Sequence, residues 1–157
     1  MININEQIPN VTLKVMGQDG PLDIDTRDLF NNKKVILFSV PGAFTPTCSA
    51  AHLPGFVVNA DKFKSKGIDE IVCMSVNDVF VMDAWGKSSN AEEITMLADG
   101  NGEFAKALGL EVDGTAWGMG LRSKRFAMIV DDGEVKQIAV DDKGLEKSSA
   151  EAVLAML

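Results

Sequence analysis

Val35-Ile36-Leu37-Phe38-Ser39-Val40 is apolar at almost every position. A strand that alternates apolar and polar residues lines one core. A run that does not alternate must be covered on both sides, so this one predicts a central strand with helices on each face of its sheet. Pro41-Gly42 ends the run. Beyond it Ala51, Leu53, Phe56, Val57, Ala60 and Phe63 recur at helical spacing, and Gly67 supplies a stop. The same reasoning predicts a short strand over 11–16 closed by turn signals at 17–21, a second buried strand over 71–76, and a helix over 78–87 capped by Asn77 or Asp78. A third strand over 94–98 and a short helix over 102–108 follow. Segments 126–130 and 135–140 flank Asp131-Asp132-Gly133 as a β-hairpin, and 149–157 closes the chain as a helix capped by Ser148 or Ser149. This order predicts an α/β fold, a mixed central β-sheet flanked by helices in three layers. The length, 157 residues, suits one domain spanning 1–157 around one continuous core.

The charge narrows the function classes. The formal charge is −8, and no stretch concentrates Lys and Arg, so nucleic acid and anionic membranes are not expected partners. No apolar segment reaches membrane-spanning length, and the first residues lack a basic region followed by an apolar run. Two cysteines, Cys48 and Cys73, are too few for a disulfide scaffold and lack metal-ligand spacing. The expectation is a cytoplasmic protein with no metal and no cofactor, in which a cysteine is more informative as a reactive group than as a cross-link. Trp85-Gly86-Lys87-Ser88 resembles the end of a phosphate-binding loop. Val81 stands where that loop needs its first glycine, so the reading is rejected.

The segment 41–52 carries the chemistry. It places Cys48 just past a strand end, in the first turn of a helix, where unpaired amides and the helix dipole favour a thiolate. Such a cysteine is otherwise a small apolar residue packed beneath the helix. Pro41 and Pro46 bracket the loop, with Pro46 expected to exclude solvent beside the thiol. Thr45 offers a hydroxyl that accepts from a bound substrate or donates to the thiolate, unless it is only a turn hydroxyl. His52, four residues on, shares the helix face of Cys48 and raises the rival reading of a Cys–His hydrolase. That reading lacks a third group to orient the only histidine. A general thiol–disulfide oxidoreductase would carry Cys-x-x-Cys, and here Thr45 and Ala51 stand at those spacings.

Pro41, Thr45 and Cys48 form the P-x-x-x-T-x-x-C arrangement, and the run continues through His52-Leu53-Pro54-Gly55-Phe56. With Ser75-Val76-Asn77-Asp78, Phe80, Trp85-Gly86, Leu97-Ala98-Asp99 and Arg125-Phe126, the chain closely resembles the peroxiredoxin-5 subfamily of the peroxiredoxins. The resemblance implies a thioredoxin-like fold and a peroxidase in which the Cys48 thiolate attacks a peroxide oxygen and becomes a sulfenic acid. It makes Arg125 the cation that holds thiolate and peroxide, a role that suits a permanent charge. Arg122 and Lys124 are then solvated or rim charges. Gly42, Phe44, Pro46, Thr47 and His52 become substrate-pocket residues beside the catalytic Pro41, Thr45, Cys48 and Arg125. Phe44 and the 77–80 segment are implied in the pocket or in a homodimer contact, while core packing is the plain alternative for Phe44, Phe80, Trp85 and Trp117.

Two-cysteine members of the subfamily resolve the sulfenic acid with a cysteine corresponding to about 147–149, where this chain has Lys147-Ser148-Ser149. Cys73 is the one other thiol; its apolar neighbours predict an inert core position, the alternative being a secondary thiol that pairs with Cys48 after local unfolding. The expected cycle uses one cysteine and an external reductant, glutathione with glutaredoxin first and thioredoxin second. A redox relay or holdase chaperone built on the same thiol is the alternative function.

Overall fold

The computed structural model describes residues 1–157. Its sheet has seven strands: β1 (Thr12–Gly17), β2 (Gly20–Asp25), β3 (Lys34–Ser39), β4 (Glu70–Ser75), β5 (Ile94–Ala98), β8 (Arg125–Asp131) and β9 (Glu134–Asp141), ordered β2-β1-β5-β4-β3-β8-β9. β3 pairs in parallel with β4, and β4 with β5, while the other pairings are antiparallel. β3 therefore stands inside the sheet, as its continuous apolar run requires.

Alternation along the central strands divides the core in two. Ile36, Phe38, Ile71, Cys73, Ala127 and Ile129 face one layer, which holds α2 (Leu53–Val58), α3 (Ala60–Ser65), α4 (Val79–Ser88) and α6 (Ala150–Leu154). Val35, Leu37, Val72, Met74, Phe126 and Met128 face the other, which holds α1 (Thr26–Phe30) and α5 (Glu103–Leu108). Each large side chain buried there contributes roughly 1.5–3 kcal/mol.

The helix expected over 51–63 is a broken one. A π-helical turn, Cys48–His52, leads into α2 through a bond from the Leu53 amide to the Cys48 carbonyl. At Asn59 the chain leaves helical geometry (φ −97°, ψ 6°), and its side-chain amide donates to the Gly55 carbonyl at 2.7 Å. That local bond competes with the helix ladder and separates α2 from α3. β2 and α1 were not anticipated. Nor were β6 (Glu111–Asp113) and β7 (Leu121–Ser123), a two-stranded ribbon bracketing a 3₁₀ turn at Thr115–Trp117. The hairpin turn is as expected, with Asp132 and Gly133 both at positive φ (48° and 80°). Asp78 caps α4 by accepting from the Val81 amide, and Ser149 caps α6 by accepting from the Ala152 amide.

Candidate active site

Pro46 begins a helical turn, and its fixed φ suits that position. Cys48 lies two residues further on, completely buried. First-turn amides have no carbonyl partner within the helix, so the sulfur sits in a region of positive potential. Arg125, the first residue of β8, reaches it from the sheet, and its Nη2 donates to Cys48 Sγ at 3.2 Å. The two residues are far apart in sequence, and antiparallel pairing of β3 with β8 sets Arg125 beside the strand end that feeds the cysteine loop. A guanidinium against a sulfur excluded from water is the environment that holds a thiolate.

The guanidinium is itself fixed. Its Nη1 donates to His52 Nδ1 at 2.9 Å, so that nitrogen carries no proton, and His52 Nε2 donates to the Ser148 carbonyl at 2.9 Å. Burial pushes the His52 imidazole from 6.5 down to about 4; the Ser148 carbonyl opposes this and the Arg125 cation reinforces it. The ring is neutral, as its acceptor role demands. Both ring nitrogens are occupied, so His52 meets Arg125 on one side and the Ser148 carbonyl on the other. That leaves no lone pair for a hydrolase's general base.

Beyond His52 stands Asp141, which sequence reasoning did not single out. Its carboxylate accepts from the amides of Glu146 (3.1 Å), Lys147 (3.0 Å) and Ser148 (2.9 Å) and from the Ser148 hydroxyl (2.7 Å). Burial raises the Asp141 carboxyl, but these bonds outweigh it and hold the group below its ordinary value. Thus Asp141 fixes Ser148, Ser148 fixes His52, and His52 fixes Arg125.

The remaining residues divide clearly. Thr45 Oγ1 donates to the Gly42 carbonyl at 2.7 Å, so its proton is committed to the loop and its lone pairs remain as acceptors. Gly42 is buried, and a Cβ there would meet Met119 Cε and Thr45 Cγ2 at 3.1 Å. Asn77 Oδ1 accepts from the Ala43 amide (2.9 Å) and the Ser75 hydroxyl (2.6 Å), pinning the loop to the end of β4. Phe44 takes a left-handed φ of 64°, which is costly for a bulky side chain, and is exposed. Pro46 and Thr47 are also exposed and share no hydrogen bond with Cys48 or Arg125, and Pro46 opens the helical turn that carries the fully buried sulfur. Trp85 is buried, its Nε1 donating to Ser49 Oγ at 3.0 Å beside Cys48; Phe80 and Trp117 are exposed. Arg122 is no solvated charge: it donates from Nε to the Met119 carbonyl (2.8 Å) and from Nη1 to the Val76 carbonyl (3.0 Å). Cys73 is fully buried in mid-β4, and burial pushes its thiol well above the ordinary value, with the neighbouring Cys48 adding to the rise.

Comparison with known proteins agrees with this geometry. The Redoxin family model matches residues 3–154. Peroxiredoxin-2D of Arabidopsis thaliana is 45% identical over 159 residues, covering 99% of this chain and 98% of the relative. The structure of reduced Prx3 in complex with H2O2 from Vibrio vulnificus is 54% identical with a TM-score of 0.96, covering 99% of each chain. That of peroxiredoxin 5 from Alvinella pompejana is 36% identical with a TM-score of 0.88, covering 99% of this chain and 97% of that one. With its thioredoxin-like fold and a cysteine held by arginine at a helix start, the chain belongs to the peroxiredoxins, in the peroxiredoxin-5 subfamily, and is a thiol-dependent peroxidase.

Proposed function

We propose that the chain reduces hydrogen peroxide and organic hydroperoxides through Cys48 in a one-cysteine cycle, with an external thiol as reductant. The Cys48 sulfur attacks the nearer peroxide oxygen, the O–O bond breaks, and the far oxygen leaves as water or alcohol after taking a proton. Arg125 holds both the sulfur and the oxygens on which charge develops. Thr45, its proton engaged by Gly42, accepts from the peroxide O–H and orients the oxygen for in-line attack. Pro41 and Gly42 shape the floor of the loop.

The product is a sulfenic acid on Cys48. A thiol RSH condenses with it, forming an S–S bond and releasing water; a second thiol then displaces Cys48 and leaves as the disulfide. Glutathione with glutaredoxin is the first candidate reductant and thioredoxin the second. One observation carries the one-cysteine reading. Cys73, the only other thiol, is fully buried beside Phe38 in the middle of the sheet, with its thiol form favoured by burial. A cytoplasmic location belongs to the same proposal, supported by two free cysteines and no disulfide framework. The exposed Phe44 and Phe80 support a homodimer through that face, and a monomeric mass by light scattering sinks that part.

The test is intact mass after stoichiometric hydrogen peroxide with a sulfenic-acid trap, followed by turnover with glutathione and glutaredoxin. An adduct on Cys48, with equal turnover in wild type and Cys73→Ser, supports the cycle. Loss of all turnover in Cys73→Ser overturns it.

A further inference from the structure

Arg125 holds the sulfur, and little holds Arg125. It belongs to none of the ion pairs in the structure, and its guanidinium makes two side-chain hydrogen bonds, to Cys48 Sγ and to His52 Nδ1. The first contact changes as the sulfur gives its electrons to oxygen, which leaves His52 as the lasting anchor. His52 serves only in the tautomer protonated at Nε2, because a proton on Nδ1 would face an Arg125 N–H. The Ser148 carbonyl selects that tautomer by accepting from Nε2 at 2.9 Å. No backbone–backbone hydrogen bond reaches residues 142–148, the stretch that ends on this carbonyl. One side chain holds them instead. Asp141 Oδ2 accepts from the Glu146 and Ser148 amides and from the Ser148 hydroxyl, and Oδ1 accepts from the Lys147 amide.

We infer that Asp141 is a positioning residue for peroxide reduction: by fixing the Ser148 carbonyl it selects the His52 tautomer, and so keeps the Arg125 guanidinium aimed at Cys48. The inference rests on the peroxidase chemistry of Cys48 and adds to it a residue that touches neither sulfur nor peroxide. Asp141 forms no ion pair, so its part is that of a multiple acceptor rather than of a counter-charge. The contrasting case is Asp99, which is buried and accepts from the Phe104 amide (3.0 Å) and the Ala105 amide (2.9 Å) at the start of α5. Asp99 makes the same kind of bond, but α5 lies in the opposite layer and its contacts end there. An asparagine at 141 keeps the shape with a single acceptor oxygen. Whichever way it turns, its NH2 group faces an N–H and part of the set is lost.

The chain has a single histidine, so the imidazole nitrogen NMR signals of the reduced, full-length protein report on His52 alone. Wild type shows the Nε2–H form. Asp141→Asn shows both tautomers in exchange, and its rate of sulfenic-acid formation at Cys48, followed by rapid mixing, falls by roughly tenfold. Ser148→Ala, which removes one donor and keeps the carbonyl, moves both readouts the same way by less. Asp99→Asn lowers stability and moves neither. His52→Gln also slows the reaction, and adding Asp141→Asn to it brings no further loss, since the route runs through His52. A rate in Asp141→Asn within about twofold of wild type overturns the inference. So does an unmixed Nε2–H signal in that variant, an equal effect of Asp99→Asn, or losses that multiply in the double variant. Each of these leaves the peroxidase intact as long as wild type forms the trapped sulfenic acid on Cys48; absence of that adduct in wild type removes the chemistry on which the inference rests.

Discussion

Cys48 and Cys73 lie on the same side of the sheet, in the same apolar cluster, and neither has any exposed surface. They differ in what the backbone and one side chain do around them. Cys73 is in mid-strand, where its own amide and carbonyl are spent on neighbouring strands, and burial and then the neighbouring Cys48 both favour its neutral thiol. Cys48 stands in the first turn of a helix with the Arg125 guanidinium at 3.2 Å. Burial makes the first thiol inert. In the second, the same burial strengthens the one charge contact by excluding water. Accessibility is thus a poor guide to reactivity here; the identity of the nearest cation decides it.

Replacing Cys48 by serine tests the contrast most severely. Peroxide-dependent turnover and the trapped sulfenic acid disappear, and intact mass shows Cys73 unmodified. Oxidation appearing at Cys73 instead breaks the comparison. Arg125→Ala leaves Cys48 as buried as before but removes its cation. The rate of sulfenic-acid formation, followed by rapid mixing, falls by about 10²–10³-fold, the usual loss on removing a group that stabilises developing charge.

His52 sharpens the same point through pH. Its folded value, about 4, lies below the 6.5 of the unfolded chain. Above pH 6.5 both states are neutral at this ring and the full stability is present. As pH falls from 6.5 towards 4, only the unfolded chain takes up the proton, so stability is lost across that window. The loss is on the order of 3 kcal/mol. Denaturation curves over this range show it in wild type, and the slope flattens in His52→Gln. The smallest effect is expected at Cys73→Ala: about 1 kcal/mol of stability for the lost sulfur, by denaturant midpoint, with the rate of Cys48 oxidation unchanged.

The sequence exposed those features that chemistry writes into adjacent residues. β3, β4 and β5 announce themselves as apolar runs, and the hairpin as Asp131-Asp132-Gly133 between two such runs. Cys48 and Thr45 stand out by spacing, and Arg125 by its place at the start of a strand. β2, Gly-Pro-Leu-Asp-Ile-Asp, is a mostly solvated edge strand whose composition reads as a loop, and α1 is too short for its periodicity to register. The link from Asp141 through Ser148 to His52 was hidden for a different reason. A slip in pairing at Ile129/Val130 shifts the hairpin register, so that Arg125 faces Asp141 rather than Val140. Nothing in the local pattern marks that bulge. The signal that was available is Asp141 itself, a carboxylate ending an apolar strand opposite the strand of Arg125.

The π-helical turn at Cys48–His52 gives chain length a role of its own. Ala50 and Ala51 are both exposed and fill no cavity, so their side chains are interchangeable with many others. Their number is not. The turn holds one residue more than an α-helix would, and that wide turn sets the spacing of Cys48 and His52. Deleting one residue would leave Cys48 and His52 three apart instead of four and shift them against the Arg125 guanidinium they share. Deletion of Ala50 or Ala51 would therefore disturb the site, whereas substitution of either exposed side chain keeps the spacing. At this position what is inherited is a count of residues, independent of which residues they are.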